Sequence, residues 1–86
     1  MEKYIRVYMD FFGYDIAEDI IFEVTGGLAK NIHHLNGRIG KNKEDINGLI
    51  ALRYDLHDAI HTGKSAYSKN DLIAIHIKFM RDHGKK

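Results

Sequence analysis

With 86 residues, no cysteine and no proline, the chain has the length of one small domain and no thiol chemistry, which excludes disulfides, Cys-ligated zinc and iron–sulfur clusters. It carries no apolar run of roughly eighteen residues that would span a membrane, and no charged and apolar leader ahead of a cleavage site, so the expected location is the cytoplasm, of a bacterium or of a phage host. Net charge is +1 with histidine neutral, but residues 1–35 hold three basic side chains (Lys3, Arg6, Lys30) against six acidic, and residues 36–86 hold ten against six; this bias fits a solvated helix face as well as a polyanionic partner.

The stretch from Tyr4 to Tyr14 is aromatic and amphipathic, and fits either a short helix or a strand. Ile20 to Val24 is β-prone, Gly26-Gly27 can turn the chain at positive φ, and Leu28 to Leu35 can return as a second strand, which predicts a β-hairpin ending in His33-His34. Residues 36–45, with two glycines, two asparagines and three basic side chains, read as a loop. Leu49-Ile50-Ala51-Leu52 is short enough for a buried strand or for the entry to a helix, and belongs to the core in either case. Tyr54 to Thr62 has helical spacing, with Leu56 and Ile60 on one side and Gly63-Lys64 as its stop. A last helix, over about 69–83, begins after Ser68, whose hydroxyl can cap the Asn70 or Asp71 amide, and packs through Leu72, Ile75, Ile77, Phe79 and Met80. Nothing in this order marks a linker, a repeat or a second domain, so residues 1–86 read as a single domain.

A core this small covers only about 60% of the surface its unfolded chain exposes, and domains of this size often need a staple that cysteine cannot supply here. Histidine is the alternative. His57 and His61 are four apart on a predicted helix and project from one face, where both can bind one ion. His33 and His34 are adjacent on a predicted strand and point to opposite faces unless the strand ends or bends there. Four of the six histidines fall in these two clusters; His76 and His83 lie seven apart on the last helix and read as structural or surface residues.

In the segments Phe22-Glu23-Val24-Thr25-Gly26, Ala29-Lys30-Asn31-Ile32-His33-His34-Leu35, Asp45-Ile46-Asn47-Gly48-Leu49-Ile50-Ala51-Leu52 and His57-Asp58-Ala59-Ile60-His61, the sequence resembles the HNH endonuclease family, especially its small phage-type members. The resemblance runs from about Phe11 to Lys64, with a motif core over about 20–64. Its most specific part is the order His-His, Leu-Ile-Ala-Leu, His-x-x-x-His. It implies an α+β fold of the ββα-metal (His-Me finger) type, with a β-hairpin, a short metal-binding helix and a C-terminal helix. Many relatives hold a structural zinc with two Cys pairs; the matching positions here are Phe22, Thr25, Arg53 and Leu56, so packing would replace that metal. The middle asparagine of the family name, nine residues before His57, falls on Gly48, with Asn47 one place earlier. The brace behind the general base is then either lost or passed to Asn47.

Carried over by position, the resemblance implies His33, His57 and His61 as ligands of one divalent metal, His34 as general base and Asn47 as its support. The ion is Zn, Ni, Mn or Mg, and an all-imidazole set favours the late first-row metals over Mg²⁺. Arg38, Lys41, Lys43, Arg53 and Lys64 flank the motif and can hold DNA phosphates. Asp55 and Asp58 either orient an imidazole or face solvent. The expected function is metal-dependent hydrolysis of DNA phosphodiester bonds. The alternatives are a catalytically weakened HNH domain that binds nucleic acid or protein, and a protein in which the histidines hold an ion only to stabilise the fold.

Overall fold

The computed structural model describes residues 2–29, 31–35 and 44–84. Its first element is helical: α1 (Lys3–Phe12) stacks Tyr4, Ile5, Tyr8, Met9 and Phe12 along one side and stops at Gly13, whose φ of +78° is a left-handed value that glycine adopts without strain. The strand alternative for this stretch is thereby set aside. Three further elements carry the rest of the core: a two-stranded antiparallel sheet of β1 (Asn31–His34) and β2 (Leu49–Leu52), the helix α2 (Tyr54–His61), and the helix α3 (Lys69–His83). The result is a small α+β fold. Among the described residues, no helix is long and apolar enough to cross a membrane.

The predicted pairing of residues 20–24 with 28–35 is corrected. Those segments meet at one isolated bridge, Ile21↔Leu28, around Gly26 and Gly27 at φ +87° and +80°. The turn closes on itself: the Phe22 N–H donates to the Gly27 carbonyl and the Gly26 N–H to the Phe22 carbonyl, both at 2.8 Å. The first of these bonds and that from the Ala29 N–H to the Ile20 carbonyl, at 3.0 Å, make the bridge; past it the Glu23 N–H turns to the Ala51 carbonyl, and the ladder does not continue. β1 pairs instead with β2, in the register Asn31↔Leu52, Ile32↔Ala51, His33↔Ile50 and His34↔Leu49.

β2 is apolar on both faces. Successive side chains of a strand alternate, and here Leu49 and Ala51 join Tyr8, Met9 and Ile20 beneath α1, while Ile50 and Leu52 join Phe22, Leu35 and Leu72 beneath α2 and α3. All four residues of β2 are fully buried. A continuous apolar run is what such a position demands, and it is also why periodicity alone leaves its type open.

One polar cluster crosses this core. The buried Glu23 carboxylate accepts from the Tyr8 hydroxyl, from the Ala51 N–H at 3.2 Å and from His76 Nδ1 at 2.8 Å. The Glu23 backbone N–H donates to the Ala51 carbonyl at 3.1 Å, so this residue satisfies both outward backbone groups of Ala51. His76 Nε2 donates to the Ile46 carbonyl at 2.6 Å. The two ring nitrogens of His76 thus tie α3 to the Glu23 carboxylate and to the Ile46 carbonyl. Burial also drives the Tyr8 hydroxyl far above its ordinary pKa, with the Glu23 charge adding to the shift.

The helix ends follow their local chemistry. Ser68 caps α3 by accepting from the Asp71 N–H at 3.1 Å, and Asp71 returns the contact to the Ser68 N–H at 3.0 Å. Gly63, at φ +75°, follows α2 as the predicted stop.

Removing one member of a fully buried ion pair strands the other charge and typically costs about 3–5 kcal/mol. Glu23→Gln is expected to lose that much stability in urea denaturation. Tyr8→Phe, which removes one hydrogen bond to the same carboxylate, should lose about 1.5–3 kcal/mol. A Glu23→Gln midpoint equal to that of the unaltered protein would contradict the role given to this pair.

Candidate metal centre

β1 and α2 build the site together. Alternation along β1 turns His33, opposite Ile50, toward the α2 side of the sheet. Leu56 and Ile60 pack α2 against the Ile50–Leu52 face, and the i, i+4 spacing places His57 and His61 on one side of that helix. The three imidazoles converge: one ring nitrogen from each lies within 4.8 Å of the others. His57 Nε2 and His61 Nε2 are 3.2 Å apart. The rings stand nearly edge to face, with centroids 5.3 Å (33–57), 5.6 Å (33–61) and 4.5 Å (57–61) apart.

The donor set fits a metal. Nitrogens at about 2.0–2.1 Å from a tetrahedral Zn²⁺ lie roughly 3.3–3.4 Å from one another. The His57–His61 edge is close to that length, and the His33 nitrogen stands within 4.8 Å of both. The electrostatics agree. Burial, and then the charges that His57, His61 and His34 would carry, depress the His33 pKa to about 4. Burial and His61 also lower that of His57. Imidazoles held neutral keep their lone pairs available for a cation.

His34 closes β1 and lies on the other side of the strand, its ring edge-on to Tyr4 of α1 at 4.5 Å. Because the strand ends at this residue, His33 and His34 still open onto one cleft, although their side chains start from opposite faces. Behind them, the Leu35 N–H donates to the Gly48 carbonyl at 2.7 Å. The Asn47 backbone and side-chain amides both donate to Asp45 Oδ1 at 3.0 Å, bracing the 3₁₀ turn Ile46–Gly48 that leads into β2.

Of the cationic residues singled out in the sequence, Arg53 is engaged by Asp55 at 2.8 and 3.2 Å and lies 5.2 Å from the centre of the Phe22 ring. Lys64 is exposed just beyond α2. Arg38, Lys41 and Lys43 lie outside the described residues. Asp55 is taken up by Arg53 and by the Leu56 N–H rather than by an imidazole; Asp58 acts on His57 only through its charge. Phe22, Thr25, Arg53 and Leu56, distant in sequence, gather around one cavity of about 290 Å³.

His76, grouped in the sequence with surface or structural histidines, is fully buried and partners Glu23. The available signal was a carboxylate inside the β-prone run Ile20–Val24 and a histidine four residues after Leu72 on the packing face of α3. His83 is exposed and packs on Phe79 at 4.4 Å. Compared with family models, curated proteins and solved structures, the chain matches none.

Zn²⁺ titration of the stripped protein by calorimetry is expected to show one equivalent bound. Alanine at His33, His57 or His61 should weaken it more than about 100-fold, since even partners outside the ligand set cost 10–100-fold. A pH dependence follows in the metal-free state. His33 titrates near 4 when folded against about 6.5 when unfolded, so the unfolded chain takes up the proton first. Its contribution is intact above pH 6.5 and is lost as pH falls from there to about 4. His33→Asn should flatten that part of the stability curve, and parallel curves for the two proteins would refute the assignment.

Proposed function

We propose that the protein is a metal-dependent endonuclease of the HNH type, with a ββα-metal site that hydrolyses DNA phosphodiester bonds. The observation that carries this reading is the convergence of His33, His57 and His61 within 4.8 Å, with His34 next in sequence opening onto the same cleft. Two further features support it. Antiparallel β1 and β2 followed directly by α2 give the strand–strand–helix order that the resemblance implies. The four positions at which relatives hold a second metal with cysteine, Phe22, Thr25, Arg53 and Leu56, surround one cavity here.

In this reading His33, His57 and His61 hold one divalent ion among Zn, Ni, Mn and Mg, of which imidazole favours the late first-row Zn and Ni. Bound there, the ion would neutralise charge on the phosphodiester and its leaving oxygen. His34 accepts the proton of the attacking water, a task suited to neutral imidazole near physiological pH. Tyr4 limits the motion of that ring, and the Leu35–Gly48 hydrogen bond fixes the backbone on which it stands. Lys64, with Arg38, Lys41 and Lys43, serves the flanking phosphates. Arg53 can join them only by leaving Asp55.

A second reading, a weakened HNH domain kept for binding, is favoured by the Asn47 side chain, which bonds Asp45 and leaves the support behind His34 to the Gly48 main chain.

Nicking of supercoiled plasmid separates the two. Stripped protein refilled with Zn²⁺, Ni²⁺, Mn²⁺ or Mg²⁺ is expected to nick with at least one ion, and His34→Ala to lower the rate by about 10²–10⁴. Plasmid binding without nicking under any ion would leave the binding module.

A further inference from the structure

Beside the three histidines lies a cleft of about 450 Å³, a size at which protein clefts hold small organic ligands. His33 and His34 form one end, Leu35, Ile60 and Leu72 contribute apolar wall, and Tyr67 and Lys69 also line it. Among its described lining residues there is no carboxylate, although the chain contains 12. The cleft therefore joins cationic or metal-ready nitrogen to an aromatic ring and an apolar surface. That combination suits a ligand that is anionic at one point and flat and weakly polar at another.

Local structure holds Tyr67 in place. Ser65 Oγ donates to the Tyr67 carbonyl and accepts from the Tyr67 N–H, each at 3.0 Å, which pins the turn between α2 and α3. Tyr67 is 36% exposed and lines the cleft, so part of the residue remains open to a partner. The adjoining N-terminus of α3 is closed by its own Ser68–Asp71 capping box, which leaves Lys69 as the cation this end of the helix presents.

We propose that this cleft is a nucleotide subsite for unpaired DNA, in which Tyr67 stacks on a base and Lys69 pairs with a phosphate next to the one at the histidines. The identity of the ligand as DNA rests on the nuclease reading above. A base can reach the Tyr67 ring only after leaving the duplex stack, because paired bases offer a protein their edges and not their faces. The favoured substrate is accordingly single-stranded, frayed or locally opened DNA rather than an intact duplex.

Fluorescence anisotropy with a labelled eight-nucleotide oligothymidylate and a labelled hairpin duplex tests this, in EDTA and again with Zn²⁺. The expected result is binding of the single strand at least about tenfold tighter than the duplex. Tyr67→Ala should weaken single-strand binding about tenfold, whereas Tyr67→Phe, which keeps the aromatic face, should preserve it. Lys69→Ala should reduce the salt dependence by about 0.7 in log–log slope, the loss of one phosphate contact on a single strand. Unchanged melting temperatures for the variants exclude misfolding as the cause. Equal affinities for single strand and duplex, or binding indifferent to Tyr67→Ala, would overturn the subsite. Plasmid nicking run in parallel keeps the two readings apart: metal-dependent nicking with Tyr67-independent binding sinks the subsite alone, and Tyr67-dependent binding without nicking under any ion sinks the nuclease alone.

Discussion

The Glu23 carboxylate, buried with His76 beside Ala51, is where the parts of this small fold meet. Through Tyr8 it holds α1, through Ala51 it edges β2, and through His76 it ties α3 to the core. His76 then grips the Ile46 carbonyl at the start of the turn that feeds β2, and Gly48 at the end of that turn receives the Leu35 N–H, one residue after His34. A chain of hydrogen bonds thus runs from the middle of the core to the base of the histidine site. Burying two charges is costly, and a well-packed apolar replacement is often as stable. What the pair contributes is uniqueness: every acceptor must find its donor, and only one register of β2 against residues 20–24 allows it.

That register governs the site. β2 presents Leu49 and Ala51 to α1 and Ile50 and Leu52 to α2 and α3, so its partner β1 must divide His33 and His34 between the same two layers. His33 therefore meets the histidines of α2, and His34 meets Tyr4 of α1. Slipping the pairing by one residue would exchange them. The division of roles proposed for the adjacent histidines is set by the pleat of the strand, and the pleat is set by the apolar run Leu49–Leu52.

The readable parts of the sequence are those whose causes are local. Ser68, Asp71 and the apolar spacing beyond them announce α3, and Gly63 announces the end of α2. The His57–His61 pair needs nothing beyond helical geometry. Pairing of strands is different, because β propensity in Ile20–Val24 says nothing about which segment lies alongside. The Gly26-Gly27 turn is real, but its flanks meet at the isolated bridge Ile21↔Leu28, and the ladder of β1 goes to Leu49–Leu52. The link between Glu23 and His76 joins residues 53 apart in the chain, and no window of sequence displays it. Asn47 shows the same limit at one residue's scale: its side-chain amide donates to Asp45, two residues away, a contact that position in a motif does not announce.

The same constraint explains how the protein can keep a cluster of three imidazoles. Gathering His33, His57 and His61 makes protonation unfavourable, as the depressed pKa of His33 records, and burial adds to the effect. Such a cluster contributes little to the metal-free fold and opposes it as pH falls. It must therefore be held by contacts elsewhere: Leu56 and Ile60 against Ile50 and Leu52 on one side, and the Glu23 network fixing β2 on the other. The apolar layer supplies affinity between α2 and the sheet but tolerates sliding, while the directional bonds to Ala51 and Ile46 fix the position of the sheet. Three ring nitrogens can be kept around one point only if both conditions hold, because a metal's ligands must be held within about 0.5 Å of their positions.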